Sequence, residues 1–474
     1  QAQRQLGDLE AAAAAFDQAI LRHALPMGDN LDRTLAPGQR ADDSYRAARV
    51  AIDRGDLEGA WQLLEALDRL AAERFGACDD ETQVSQQDRA ARRRALLAQL
   101  AWTEPPLAVA RSQQVRPIRR ALLQALDDLH REQLAVCRRP ARRVPAPADV
   151  RAFALPDEVL VLRRVPAGYL VAWRTSLARA ELRRWLDQIA TAQAGGELDD
   201  AAWRSLVRPV ATALLAPDAE PFAAVTRFAL HGVLQRVPLP ALPIAAADGE
   251  RWLAELTTVV RSPALVETPL AAPDRAAAEP LFVVDPQRNL PSGATARATY
   301  RERFGTARIL FGEQASLQAV REALPSAAFL HIDAHGSYDE AFPELSRLQM
   351  SDGFLTASDL ATQAGQYRFV NLSGCHTGRV TPTGDSGHQG LAGVLARRGA
   401  PWVIAHRSAT FDRLGGDFNR AFYREIDRGR RVLEAFRNAH GELRQHYPAA
   451  AWSNLMLWGA GSEAKPERRG LPEG

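Results

Sequence analysis

One cysteine and one histidine stand where a chain can do covalent chemistry on a carbonyl. Residues 329–336 read Phe-Leu-His-Ile-Asp-Ala-His-Gly, and residues 369–378 read Phe-Val-Asn-Leu-Ser-Gly-Cys-His-Thr-Gly. Each is a short apolar strand that stops at a reactive side chain bordered by glycine. The first delivers His335 with Gly336 behind it; the second delivers Cys375 between Gly374 and Gly378. Parallel strands present their carboxyl ends on one edge of a sheet, where ligands and chemistry gather. Two such ends set an imidazole beside a thiol, which is what a cysteine nucleophile needs.

Each residue also has a plainer reading. A free cysteine is often a small buried hydrophobe, and a lone histidine is more often a core or surface residue than a catalyst. The glycines favour chemistry. They let the backbone turn sharply and approach a ligand, and the N–H groups of Gly336 and Cys375 are the natural donors to a developing oxyanion. His331, Asp333 and His335 alternate along one strand and share a face, so Asp333 either orients His335 or is an ordinary hydrogen-bonding residue. His331 and His335 have His-x-x-x-His spacing. The glutamate of a His-Glu-x-x-His helix is missing and the segment is strand-like, so no metal site is expected. A phosphate loop of the form Gly-x-x-x-x-Gly-Lys-[Ser/Thr] is also missing. No cofactor is implied.

The elements that position these residues follow from the pattern around them. From residue 306 onward, strands at 307–311, 329–332, 369–372, 402–405 and 455–458 alternate with helices at 316–324, 358–364, 389–398, 415–428 and 431–446. Asp352-Gly353 marks a hairpin. That alternation predicts an α/β fold, a mostly parallel sheet between two helical layers. Earlier, strands at 159–165, 169–173 and 281–285 flank helices at 177–194 and 201–215, with a proline-rich strand-and-turn region at 229–242. Residues 1–140 read as helical. Gly7-Asp-Leu-Glu-Ala-Ala12 and Gly55-Asp-Leu-Glu-Gly-Ala60 are two copies of one pattern, 48 residues apart. Their spacing fits the second helix of a tetratricopeptide repeat, whose period is about 34 residues; a turn-rich insertion at 26–40 accounts for the difference. A generic helical bundle is the alternative.

Composition bounds the rest. The chain has 474 residues, 46% hydrophobic and 24% charged, with a net charge of +2, so several globular domains are expected and no bulk attraction to nucleic acid. Its one lysine is Lys465, among otherwise arginine cations, the mark of a GC-rich bacterial coding bias. The three cysteines are scattered and odd in number, which points to a reducing compartment. No apolar run has the length of a membrane span and no signal-peptide pattern opens the sequence, so a cytoplasmic protein without membrane contact is expected. Beginning at Gln1, it is expected to be a processed or trimmed chain.

The pairing of His-Gly after one strand with Leu-Ser-Gly-Cys-His-Thr-Gly after the next resembles the CHAT domain. This is a caspase-like, clan CD cysteine peptidase family related to separase and often preceded by tetratricopeptide repeats. Leu230-His-Gly-Val-Leu-Gln-Arg-Val-Pro-Leu-Pro-Ala-Leu242, Gly353-Phe-Leu-Thr-Ala-Ser-Asp-Leu360, the run from Gly390 to Ala405 and the run from Trp452 to Gly459 are similar to further family segments. The resemblance covers residues 155–461. It implies Cys375 as nucleophile, His335 as general acid/base, and Gly336 and Cys375 as oxyanion donors. His376 and His406 replace residues usual in the family and would line its specificity pocket. Asp412 and Asp385 are candidates to hold a basic substrate side chain, though each serves equally as a surface or capping residue.

The implied architecture is a caspase-like three-layer sandwich. It comprises a helical repeat region at 1–137, a Pro/Arg linker at 138–152, a pseudo-caspase subdomain at 153–300, a catalytic subdomain at 301–461 and a disordered tail at 462–474. The implied function is cleavage of a protein substrate, triggered by a regulatory partner bound to the helical repeats, often within bacterial antiviral defence. A catalytically silent caspase-fold scaffold is the alternative.

Overall fold

The computed structural model describes residues 37–73, 143–145 and 148–459, except 196–197, 216–220, 247–248, 264, 268–278, 341–342, 364–366 and 381–389, together with isolated positions between 92 and 125. One eleven-stranded sheet runs through the molecule. Its strands in chain order are β1 (Val150–Ala154), β2 (Val159–Arg164), β3 (Leu170–Thr175), β4 (Val225–Leu230), β5 (Thr258–Arg261), β6 (Leu281–Val284), β7 (Arg308–Phe311), β8 (Leu330–Asp333), β9 (Val370–Ser373), β10 (Val403–His406) and β11 (Leu455–Trp458). Across the sheet the order is β7-β6-β8-β9-β10-β11-β5-β4-β1-β2-β3. The strands from β7 to β10 are parallel, and β11 runs against β10. A single register pair, Trp458 with Arg261, joins β11 to β5.

The described helices longer than about one turn are α1 (Pro37–Asp53), α2 (Leu57–Glu73), α3 (Arg179–Gly195), α4 (Asp200–Leu214), α5 (Gly293–Arg303), α6 (Leu317–Ala323), α7 (Ala357–Gln363), α8 (Leu391–Arg397), α9 (Asp412–Asp427) and α10 (Val432–His446). The central strands are buried on both faces, as strands covered by helices are, and carry apolar side chains apart from a few buried polar ones on β8, β9 and β10. Their period of two divides them between two cores. Phe282, Val284, Ile404, Leu455 and Leu457 join α3, α4, α5, α9 and α10 on one side. Leu281, Val283, Val403, Ala405 and Met456 join α6, α7 and α8 on the other. The expected three-layer α/β sandwich is therefore observed. Ser316 caps α6 as its sequence position indicates, its Oγ accepting the Ala319 N–H at 3.2 Å, and Gly399 ends α8 at φ +92°.

Several expectations change. Strand 281–284, assigned from sequence to the first subdomain, lies between β7 and β8 in the second. The stretch 138–152 is not wholly a linker. Arg143–Pro145 pairs with Leu265–Glu267, and Val150 already belongs to β1. Arg151, inside the expected linker, has its side chain buried over the Trp61 ring at 4.9 Å and facing Glu65 at 3.4 Å. β5 and α5 had no sequence signal: β5 is a four-residue run, and Pro291-Ser-Gly293 reads as a turn.

In the N-terminal region α1 and α2 form one antiparallel hairpin. Tyr45, Ala48, Ala60, Trp61 and Leu64 pack against Phe153, Leu155, Leu160 and Leu162 of the sheet. This hairpin therefore packs on the sheet itself. The first copy of the repeat pattern, and the tail from 462, lie outside the described residues. No described helix is long and apolar enough to cross a membrane.

Candidate active site

The loops after β8 and β9 touch through their glycines. A β-carbon on Gly374 would stand 2.5 Å from the Ala334 carbonyl oxygen, and one on Gly336 just 2.3 Å from that of Cys375. Only glycine permits this approach. β8 and β9 are neighbours, with Asp333 opposite Ser373, so His335 and Cys375 emerge side by side at the carboxyl edge.

His335 is exposed, and its Nε2 lies 2.8 Å from Asn289 Oδ1. An amide oxygen only accepts, so Nε2 of the neutral ring carries the hydrogen and Nδ1 keeps the lone pair. Asn289 is itself held by the loop after β6, where its N–H and that of Leu290 donate to Asp285 Oδ1 at 2.9 and 3.0 Å. Asp285 and Arg288 turn that loop through left-handed backbone, at φ 44° and 55°.

Cys375 is partly exposed. The Thr410 N–H points at its Sγ from 3.4 Å, and the Thr410 carbonyl oxygen lies 3.9 Å from the same sulfur. Thr410 is positioned by Asn454, which accepts from Ser408 N–H and Oγ–H at 2.6 and 2.8 Å and donates to the Ala409 carbonyl at 2.8 Å. Buried Thr377 steadies the cysteine turn: its Oγ lies 2.9 Å from the Gly374 carbonyl oxygen and accepts the His406 N–H at 3.0 Å. The Cys375 N–H makes no hydrogen bond among the described residues, so it is free for an oxyanion.

Asp333 does not hold His335. It is buried, and its carboxyl is pushed up to about 7 by burial, then by the charges of Asp412 and Asp285, against a lowering hydrogen bond to Ser373. From Ser373 a buried polar chain runs inward: Asn419 donates to Ser373 Oγ at 3.0 Å, Asn371 to Asn419 at 2.9 Å, and Tyr423 meets His331 Nδ1 at 3.0 Å. Tyr300 takes the other nitrogen of His331 at 3.2 Å. Burial pushes His331 down to about 3, so it is a neutral core residue. Among the described residues no group of acidic, histidine and cysteine side chains could hold a metal.

The specificity candidates are placed apart from one another in role. Asp412 accepts from Ser292 N–H and Oγ–H at 2.9 and 2.8 Å, tying α9 to the start of α5. His406 is buried at the end of β10 and pushed down to about 4 by burial. His376 occupies a left-handed turn at φ 59°, and burial followed by the Arg379 charge lowers its proton affinity. Asp385 lies outside the described residues. Sequence reasoning missed Asn289, Thr410 and Asn454. Asn289 had a signal: it lies in the turn-rich run Asp285-Pro-Gln-Arg-Asn-Leu-Pro-Ser-Gly293, just past an apolar strand.

A family profile described as the CHAT domain matches residues 196–460. Among solved structures, the Saccharomyces cerevisiae separase–securin complex aligns in a 3.0 Å crystal structure with a TM-score of 0.55 and 9% identity, over 95% of this chain and 37% of that one. A second crystal structure of that complex, at 2.6 Å, gives a TM-score of 0.51 at 9% identity over the same shares. The chain thus spans little more than a third of the separase chain. The Arg-specific cysteine proteinase gingipain R aligns over 39% of this chain, at 11% identity and a TM-score of 0.30. No curated protein matches the sequence. The profile covers more than half of the residues, including both strand ends at the site and the seam strands β10 and β11, and the chain belongs to the CHAT-domain family.

Proposed function

We propose that this protein is a cysteine endopeptidase whose nucleophile is Cys375 and whose general acid/base is His335. The observation that carries the reading is the contact between the two strand ends, with a separate partner for each reactive group: Asn289 for the imidazole and the Thr410 N–H for the sulfur. His335 Nδ1 takes the Cys375 thiol proton, the resulting thiolate attacks the scissile carbonyl carbon, and the carbonyl electrons move onto oxygen beside the N–H groups of Cys375 and Gly336. The tetrahedral intermediate collapses as His335 Nδ1 delivers a proton to the leaving amine. Water then attacks the thioester, His335 takes its proton, and the carboxylate product leaves with the thiol restored. Phe411, 56% exposed next to Thr410, offers apolar surface to a bound peptide.

The same reading includes activation by a protein partner. It is supported by the family resemblance, and by the imidazole and the sulfur hydrogen-bonding to other residues here. A place in bacterial defence rests on the resemblance alone. The test is cleavage-site profiling on a proteome-derived peptide library, wild type against Cys375→Ala, with and without proteins encoded beside it. Cysteine-dependent cuts establish the peptidase; identical profiles under both conditions would leave the scaffold reading in its place.

A further inference from the structure

Two buried arginines meet at the seam between the halves of the sheet without a counter-ion. Arg261 closes β5 and Arg407 follows β10, and they are only 5% and 8% exposed. Arg261 donates to the Val237 carbonyl. Arg407 donates to the Arg236 carbonyl at 2.9 Å and to Gln193 Oε1, and its buried Nε has no partner. All these acceptors are neutral. Among the described residues no carboxylate pairs with either guanidinium, while neighbouring Arg236 pairs with Asp187 at 2.6 Å. Burial, and for Arg407 also the charges of Arg261 and Arg236, push both side chains down to about 9, which still leaves them charged at neutral pH.

Removing unpaired charge from water costs several kcal/mol per ion, and two like charges in one seam add repulsion. Beside them lies a small pocket of about 10 Å³, lined by Arg261, Arg407 and Ser453 and otherwise by apolar side chains, Val237, Met456 and Leu457 among them. That is about the room of one small particle. We propose that this cavity is an anion site, taking one monatomic anion of chloride's size that bridges Arg261 and Arg407. The anion joins β5 of the first half to the segment 407–410 of the second, and that segment brings Thr410 to Cys375. The site stands independently of the peptidase reading.

The experiment uses the whole chain. Crystals grown or soaked in bromide should show one anomalous peak in contact with both guanidinium groups. Thermal unfolding at equal ionic strength should have a midpoint several degrees higher in sodium chloride than in sodium gluconate, because a ligand of the folded state stabilises it by mass action. Arg261→Met and Arg407→Met should each abolish that difference. No bromide peak in the cavity, equal midpoints in the two salts, or a chloride effect that survives both substitutions would overturn the site. The bromide map on the wild-type protein decides the matter if a variant does not fold.

Discussion

A β-carbon added to Gly336 would stand 2.3 Å from the Cys375 carbonyl oxygen and 3.4 Å from its nitrogen. The two reactive loops are thus in backbone contact, and each fixes the position of the other. Gly336→Ala must push them apart. A displacement of about 1 Å at a catalytic group can cost about 10²-fold in rate, so kcat/KM on a cleaved peptide should fall by about that factor. A variant with wild-type kinetics would mean that the contact does not set the site.

The two reactive side chains themselves pack little of the core. Cys375→Ala and His335→Ala should each abolish cleavage while leaving the thermal midpoint within a few degrees of wild type. Cleavage by either variant, measured on the same peptides, removes that residue from its role.

Asn289 should behave as a positioning residue. Asn289→Ala leaves His335 Nε2 without its acceptor, and kcat should drop about ten- to a hundredfold with KM little changed. Asn289→Asp keeps an acceptor and adds a charge beside the ring, so it should restore part of the rate and move the imidazole limb of the pH–rate profile upward. A purely structural asparagine would change stability and leave that limb in place.

Asp333 makes a prediction about pH with a definite sign. Its folded value near 7 lies above the about 3.9 of an unfolded aspartate. Between those values the folded state holds the extra proton, so this residue's contribution falls as pH rises and its full cost is present above pH 7. Asp333→Asn should therefore stabilise the protein at pH 8 by about 1–4 kcal/mol and be nearly neutral at pH 4. Equal midpoints for the two proteins at pH 8 would contradict it. The neutral buried histidines His331, His406 and His440, pushed down to about 3, 4 and 3, act in the opposite sense: they favour acid unfolding below about pH 6.5.

The fold was legible where apolar strands and helical periods alternate without interruption, which is why β8, β9, β10 and β11 were placed within a residue or two. It was obscured where charge sits inside. The start of β1 was hidden by the Pro/Arg run before it, and Arg151 is buried over an aromatic ring from a distant helix. That His335 and Cys375 emerge side by side was legible because glycine borders both residues. Their supports were not, since Asn289, Thr410 and Asn454 reach the site through side-chain amide and backbone groups that leave little local pattern. Asp412 read in sequence equally as a pocket or a capping carboxylate, and its partner Ser292, 120 residues earlier, left no local sign.

Strand β11 inserts between β10 and β5 and is the last described strand in chain order. During synthesis, a chain that has not yet reached residue 454 has neither the strand that unites the sheet nor the asparagine that sets Thr410 against the sulfur. The reactive thiol is therefore made well before the machinery that would use it. A nascent chain stalled in that interval carries Cys375 with nothing yet holding Thr410 beside its sulfur, and the two halves of its sheet stay unjoined.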